Sequence, residues 1–129
     1  MLMVEHFLKE VPGKGMGLFA AQDIKKGNLV WKWDEILSKK FSDREVKALP
    51  KVAKDFMEKY AIVEKEGHWL IDIDNSRFFN HSSTPNIVWE NGSVDGYAAY
   101  DIKAGDEITI DYTKLDAKPL NFVDAGDSI

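Results

Sequence analysis

Turn signals cut this chain into pieces too short for most folds. Pro12, Gly13, Gly15 and Gly17 cluster early, Lys25-Lys26-Gly27-Asn28 and Lys103-Ala104-Gly105-Asp106 read as turns, and Asn91-Gly92 is a strong hairpin signal. The runs between them are short and apolar or alternating. Residues 3–9 suit a first strand, 18–21 is a brief apolar run, and 29–33 alternates. Residues 69–73, 87–90 and 97–102 read as further strands. Residues 107–112 alternate strictly, with Ile108, Ile110 and Tyr112 on one side and Glu107, Thr109 and Asp111 on the other. One segment differs. Ser42 followed by Glu45 forms a capping box, Pro50 interrupts the pattern, and Val52, Phe56, Met57 and Tyr60 share one helical face. The spacing predicts a helical insert over 42–60 with its apolar stripe turned to the core. The expected class is mainly β: several short sheets with a small helical insert.

The chain has 129 residues, which suits one domain over 1–129. Hydrophobic residues are 44% and charged residues 30%, a globular rather than a disordered balance. Cysteine is absent, so disulfides, thiol nucleophiles and cysteine zinc sites are all excluded. No apolar run is long enough to span a bilayer, and the opening MLMVEHFLKEVP is a poor signal peptide. The expectation is an intracellular protein of unspecified compartment that needs no membrane. The net charge is −5, from 17 basic and 22 acidic residues. Such a field disfavours direct nucleic-acid contact and favours basic partners, although aid to solubility is its plainer reading.

Within GKGMGLFA, Gly15, Gly17 and Ala20 match the dinucleotide spacing G-x-G-x-x-G/A. That fingerprint needs a strand before it and a crossover helix after it. Pro12 stands where the strand should enter, and only about nine residues separate Gly17 from the next turn. A crossover needs at least ~10–12 residues, so the context fails. Taken alone, the glycines shape a tight β connection.

Two further blocks give that loop a setting. Residues 77–86 read RFFNHSSTPN and residues 105–112 read GDEITIDY. With GKGMG before them, they resemble the SET-domain protein lysine methyltransferases. That family carries a G-x-G loop, an R-F-x-N-H-S-C-x-P-N block and a G-E-E-[LI]-x-x-D-Y block in the same order. The linking run HWLIDIDNSRFFNHS and the closing YDIKAGDEITIDY match as well, so the resemblance spans roughly residues 4–112. The sequence departs from the pattern at Ser83, where the family has cysteine, and at Asp106, where it has Glu. Trp33 stands where the early aromatic is often tyrosine, and no cysteine-rich segment follows Tyr112.

The resemblance implies a β-clip SET fold with a threaded C-terminal segment, covering about 113–129 here. It implies S-adenosylmethionine (AdoMet) as methyl donor, S-adenosylhomocysteine as product and no metal. Lys14, Gly15, Met16 and Gly17 would lie against the cofactor, chiefly through backbone; Lys14 either pairs with its carboxylate or stays solvated. Arg77, Phe78, Asn80 and His81 would complete the cofactor site, with Asn80 offering both donor and acceptor atoms. Phe122, with Leu120, would pack over the adenine or the lysine channel. Tyr112 would be the catalytic residue, orienting the target amine beside the methyl group. Trp33, Trp89, Tyr97 and Ile110 would line the substrate channel, leaving mono-, di- and trimethylation open.

Other chemistries for these residues are weaker. His81 has no partner at metal-ligand spacing, and no nucleophile elbow supports a Ser82–His81 triad. The resemblance implies a lysine in a basic protein, a histone or another, as substrate, with Asp116, Asp124 and Asp127 available to attract it. The expected state is a monomer or homodimer. A SET-fold module that binds a basic peptide with weak or no catalysis is the alternative.

Overall fold

A computed structural model describes residues 1–64, 66–90 and 93–114. Among the described residues, ten short strands and two α-helices follow one another. Strands β1 (His6–Val11) and β2 (Gly15–Ala20) form an antiparallel hairpin pairing Val11 with Gly15 and His6 with Ala20. Then come β3 (Leu29–Trp31), β4 (Ser38–Phe41), helix α1 (Asp43–Lys47), helix α2 (Lys51–Tyr60), β5 (Ile62–Val63) and β6 (Trp69–Asp72). A 3-10 turn over Asn75–Phe78 leads into β7 (Asn80–His81), followed by β8 (Ile87–Val88), β9 (Gly96–Ala98) and β10 (Thr109–Ile110). Besides the hairpin there are two three-stranded sheets, β3-β9-β8 and β4-β6-β5, and one parallel pair, β7 with β10.

The glycine-rich segment is more regular than its composition predicts. The turn is confined to residues 12–14, and Gly15 already belongs to β2. Gly13 and Gly15 carry the left-handed backbone, with φ of 80° and 85°, that lets so tight a connection close. The strands expected over 97–102 and 107–112 are shorter than the pattern suggests. The alternation of the second nevertheless holds: Ile108 and Ile110 are buried, while Glu107, Thr109 and Asp111 are only partly covered.

There are two apolar cores. The larger gathers Leu18 of the hairpin, Val30 and Ile87 of the β3-β9-β8 sheet, Ile110 of β10, and Ile24, Ile102 and Ile108 from the segments between strands. The smaller joins Val46 and Met57 of the helices to Trp69 and Ile71 of β6. The capping box is present in both arms, Glu45 N–H to Ser42 Oγ at 3.1 Å and Ser42 N–H to Glu45 Oε1 at 2.9 Å. Pro50 separates the two helices as expected and stands at the N-cap position of α2 without a side-chain hydrogen bond.

The predicted apolar stripe is corrected. Met57 is buried, but Val52 is 83% exposed and Phe56 46% exposed. A ten-residue helix laid against one edge of a small sheet has only a narrow face to bury, and Met57 and Ala61 occupy it. Phe56 instead starts an aromatic chain, with ring centroids 5.0 Å from Tyr60, which in turn lies 5.7 Å from Phe78.

Candidate functional site

The parallel β7–β10 pair is the centre of the site. Its register sets Asn80 against Thr109 and His81 against Ile110, so the Asn-His dipeptide runs beside the strand that leads to Tyr112. Asn86, seen in the sequence only as the end of a block, fastens this arrangement. Its Nδ2 donates to the Glu107 carbonyl at 2.9 Å, and its Oδ1 accepts from the Thr109 N–H at 2.9 Å. One side-chain amide thus does for β10 what a neighbouring strand would do.

Asn80 ties this pair to the glycine strand. Its Nδ2 donates to Glu107 Oε2 at 2.7 Å and lies 3.3 Å from the Met16 carbonyl. Gly17 is the residue they cross. A Cβ there would stand 2.7 Å from Glu107 Oε2, 2.7 Å from Val11 Cγ2 and 3.0 Å from Asn80 Nδ2. Gly17 therefore makes room for protein side chains, whereas a Cβ at Gly15 would meet nothing within 4 Å. Glu107 belongs to the site's framework and was missed in the sequence, although its place in the final motif block was visible.

His81 is buried, and its Nδ1 accepts from the Tyr112 N–H at 3.2 Å, leaving Nε2 to carry the ring proton. The Tyr112 hydroxyl donates to the Phe79 carbonyl at 2.8 Å. The ring is thus pinned at both ends, by main chain at one and hydroxyl at the other. Lys14 reaches over the same segment, with Nζ 3.4 Å from the His81 carbonyl.

Two recesses meet here. The smaller, about 110 Å³, is lined by Lys14, Gly15, Met16, Arg77, Phe78, Asn80 and His81 together with the end of α2. The larger, about 440 Å³, falls within the size of small-molecule sites and has aromatic walls: Trp31, Trp33, Tyr60, Phe79, Trp89 and Tyr112. Tyr60, Arg77, Phe79 and Tyr112 line both and form a shared wall. Trp31 and Trp89 lie 5.8 Å apart, and Trp89 rests on Gly96, where a Cβ would come within 2.7 Å of the indole. Two buried polar atoms in this wall, Trp31 Nε1 and Arg77 Nε, have no hydrogen-bond partner among the described residues.

Most of the candidate residues converge. Lys14, Gly15, Met16, Arg77, Phe78, Asn80, His81 and Tyr112 share the smaller recess, and Trp33, Trp89, Ile110 and Tyr112 share the larger. Gly17 supports the smaller recess from beneath without lining it. Tyr97 is placed elsewhere: it pairs with Leu29 and Val88 inside the β3-β9-β8 sheet and lines neither recess. Phe122, Leu120 and the acidic tail residues lie outside the described residues, as does the Asn91-Gly92 turn. Trp31, Tyr60 and Phe79 join the cavity walls unanticipated, because an aromatic in a short strand or at a helix end reads as core.

Below the shared wall, Asp74 holds the 3-10 turn. It accepts from the Leu2 N–H at 2.9 Å, from the Ser76 N–H at 3.0 Å and from the Ser76 hydroxyl. Burial pushes its carboxyl up, but those donors favour the charged form and hold it below the usual value. Among the described residues no group of His, Asp and Glu side chains could hold a metal ion.

Fold and site together define a class of protein: small β-sheets around a parallel pair that sets Asn-His beside a tyrosine, with that tyrosine on the lining of both recesses. The SET-domain model matches residues 15–113, and the chain belongs to the SET-domain family of lysine methyltransferases. A variant-silencing SET domain-containing protein of Plasmodium falciparum is 30% identical over 118 residues, covering 82% of this chain and 5% of that protein. The histone-lysine N-methyltransferase of mouse described as H3 lysine-36 specific, and its human counterpart, are each 30% identical over 110 residues. Those matches cover 77% of this chain and 4% of either relative, so the chain spans a small part of the proteins it resembles. Among solved structures, the fold is similar to that of a P. falciparum protein described as a candidate histone methyltransferase (TM-score 0.58, 22% identity, 86% of this chain and 95% of that one). A Chaetomium thermophilum Polycomb Repressive Complex 2, in a humanized mutant form, is also similar (TM-score 0.64, 25% identity, 89% of this chain and 16% of that one).

Proposed function

We propose that this chain transfers a methyl group from AdoMet to the side-chain amine of a lysine in a protein substrate. The observation that carries the reading is the wall common to both recesses, with Tyr112 in it. Two reactants held on either side of one ring can meet there, and bringing them together is most of what such a displacement requires.

The smaller recess suits the cofactor. The open space beside Gly15 lets a ligand approach the strand's main chain, and Lys14 supplies a cation for a carboxylate. Lys14 and the main chain beside Gly15 would hold AdoMet, which would supply an electrophilic methyl carbon on its sulfonium, the methyl passing to the amine nitrogen as the C–S bond breaks and S-adenosylhomocysteine remains. The rest falls to the protein. An ordinary lysine has a pKa of about 10.4 and must lose a proton before its nitrogen can attack. The aromatic walls of the larger recess disfavour the ammonium by desolvation, and the proton leaves to solvent. Tyr112 spends its hydroxyl proton on the Phe79 carbonyl, so its oxygen is left to accept from the incoming amine and aim the lone pair. The charges on the lining of the larger recess balance, Glu64 and Asp72 against Lys40 and Arg77, and Glu64 is already 3.2 Å from Lys40.

The test is transfer of labelled methyl from AdoMet to basic peptides and to cell extract, with the acceptor lysine located by mass spectrometry. Labelled lysine is expected. The absence of transfer to any protein, together with no calorimetric binding of S-adenosylhomocysteine, would sink the reading.

A further inference from the structure

Strand β1 is the outer strand of the hairpin. It pairs with β2 from His6 to Val11 without a bulge. The main-chain bonds of β2 show which way each residue turns. The Leu18 carbonyl accepts from the Ile108 N–H at 2.7 Å, and the Ala20 N–H donates to the Asp106 carbonyl at 2.9 Å, so both residues turn away from β1. Their partners Leu8 and His6 are therefore the non-hydrogen-bonded positions of the hairpin, and alternation adds Glu10. The main-chain N–H and C=O groups of His6, Leu8 and Glu10 point outward, with no partner among the described residues.

Such a row is a template for another strand, and natural edges are blunted by proline, bulges or lysine. β1 holds no proline, and Pro12 lies just past its end. Its lysine leans inward, with Lys9 Nζ 4.6 Å from the centre of the Phe19 ring on β2. The edge is also self-complementary. A two-fold axis at Leu8 sets Leu8 against Leu8, His6 against Glu10 and Phe7 against Lys9, and it uses every outward residue of both copies. An axis at Phe7 or Lys9 leaves one outward residue unused, and at Lys9 it sets two lysines together. With the axis at Leu8, the Phe7 ring, 40% exposed, meets the aliphatic stem of Lys9 of the second copy at a non-hydrogen-bonded pair, where side chains come closest.

We infer that β1 is a self-association edge: a second copy of this chain adds its own β1 antiparallel about Leu8, joining two hairpins into one continuous sheet. Both copies use the same patch, so the pairing closes as a dimer and does not propagate. The inference stands apart from the methyl-transfer reading.

The test is sedimentation of the full chain over a concentration series, with amide hydrogen exchange read by NMR. A dimer is expected. Exchange at the His6, Leu8 and Glu10 amides should slow about tenfold or more as it fills, while the Phe7 and Lys9 amides, turned toward β2, are slow throughout. Phe7→Lys should weaken the dimer about tenfold, because symmetry makes the like-charge contact twice. Phe7→Glu brings opposite charges together and should leave the dimer intact, and Phe7→Lys combined with Lys9→Glu should restore it. Position 7 is exposed, and circular dichroism checks that each variant folds. A chain that stays monomeric to millimolar concentration overturns the inference. So does a dimer whose outward amides stay unprotected, or an equal response to Phe7→Lys and Phe7→Glu. Slow exchange of those amides in the monomer overturns it too, since the edge is then covered within one copy.

Discussion

Tyr112 is held by bonds that outlast the loss of any one of them. Replacing it by phenylalanine removes the hydroxyl bond to the Phe79 carbonyl but keeps the ring and the His81 contact with its main chain. The expected result is a fall in methyl transfer with S-adenosylhomocysteine affinity nearly unchanged, and a stability loss of about 1 kcal/mol in urea titration. The two glycines of the hairpin should respond differently. Gly17→Ala forces a methyl group into Glu107, Val11 and Asn80, so it should destabilise the chain and also lower cofactor affinity by disturbing the Asn80–Glu107 bond. Gly15→Ala meets open space, and its cost comes from backbone strain at φ 85°, about 1 kcal/mol. Thermal melts with and without S-adenosylhomocysteine separate the two cases. Much of this was legible in the sequence as residue types: Asn80, His81, Tyr112 and the glycines announce themselves by order and spacing. What the glycines accommodate was not. Gly17 yields to two side chains from distant strands, a contact between residues 17, 80 and 107 that no local pattern encodes.

Among the elements, the hairpin, the insert and the final strand could each be read from local rules, because each carries its own punctuation. Ser42 and Glu45 marked the start of α1, and both hydrogen bonds of the box formed. Ser42→Ala should cost ~1 kcal/mol by loss of that cap, measured as a shift in urea midpoint with no change in slope. The face of α2 was misread, since helical periodicity tells which residues share a side and not how much partner surface that side will find. Met57 found the sheet; Val52 and Phe56 did not. Strand lengths were overestimated at β9 and β10, and for β10 the reason is related. Alternation continues through residues whose backbone bonds go to side chains such as Asn86, so apolar pattern and ladder part company. Tyr97 was assigned to the channel by the family resemblance, but in β9 it pairs with Leu29 and Val88 and lines neither recess.

Across the whole molecule, the chain ties distant segments together through a few polar residues, and Asp74 is one of them. Its carboxylate joins the N-terminal segment to the 3-10 turn next to the site. Its folded-state pKa lies below the ordinary value of 3.8, so the folded state binds this proton less readily than the unfolded chain. Its contribution is therefore complete above that value and is lost as the pH falls through the depressed one. Asp74→Asn should be less stable than wild type near neutral pH, and the gap should close in acid, read from urea midpoints across pH. The shared wall has a further meaning at this scale. Ligands in the two recesses would touch the same Tyr60, Arg77, Phe79 and Tyr112 side chains, so any coupling between them would run through that wall. Such linkage is reciprocal: whatever factor a ligand of one recess imposes on affinity for a ligand of the other, the second must impose on the first. A thermodynamic box measured from either corner has to close, and the size of that common factor reports how stiff the partition is.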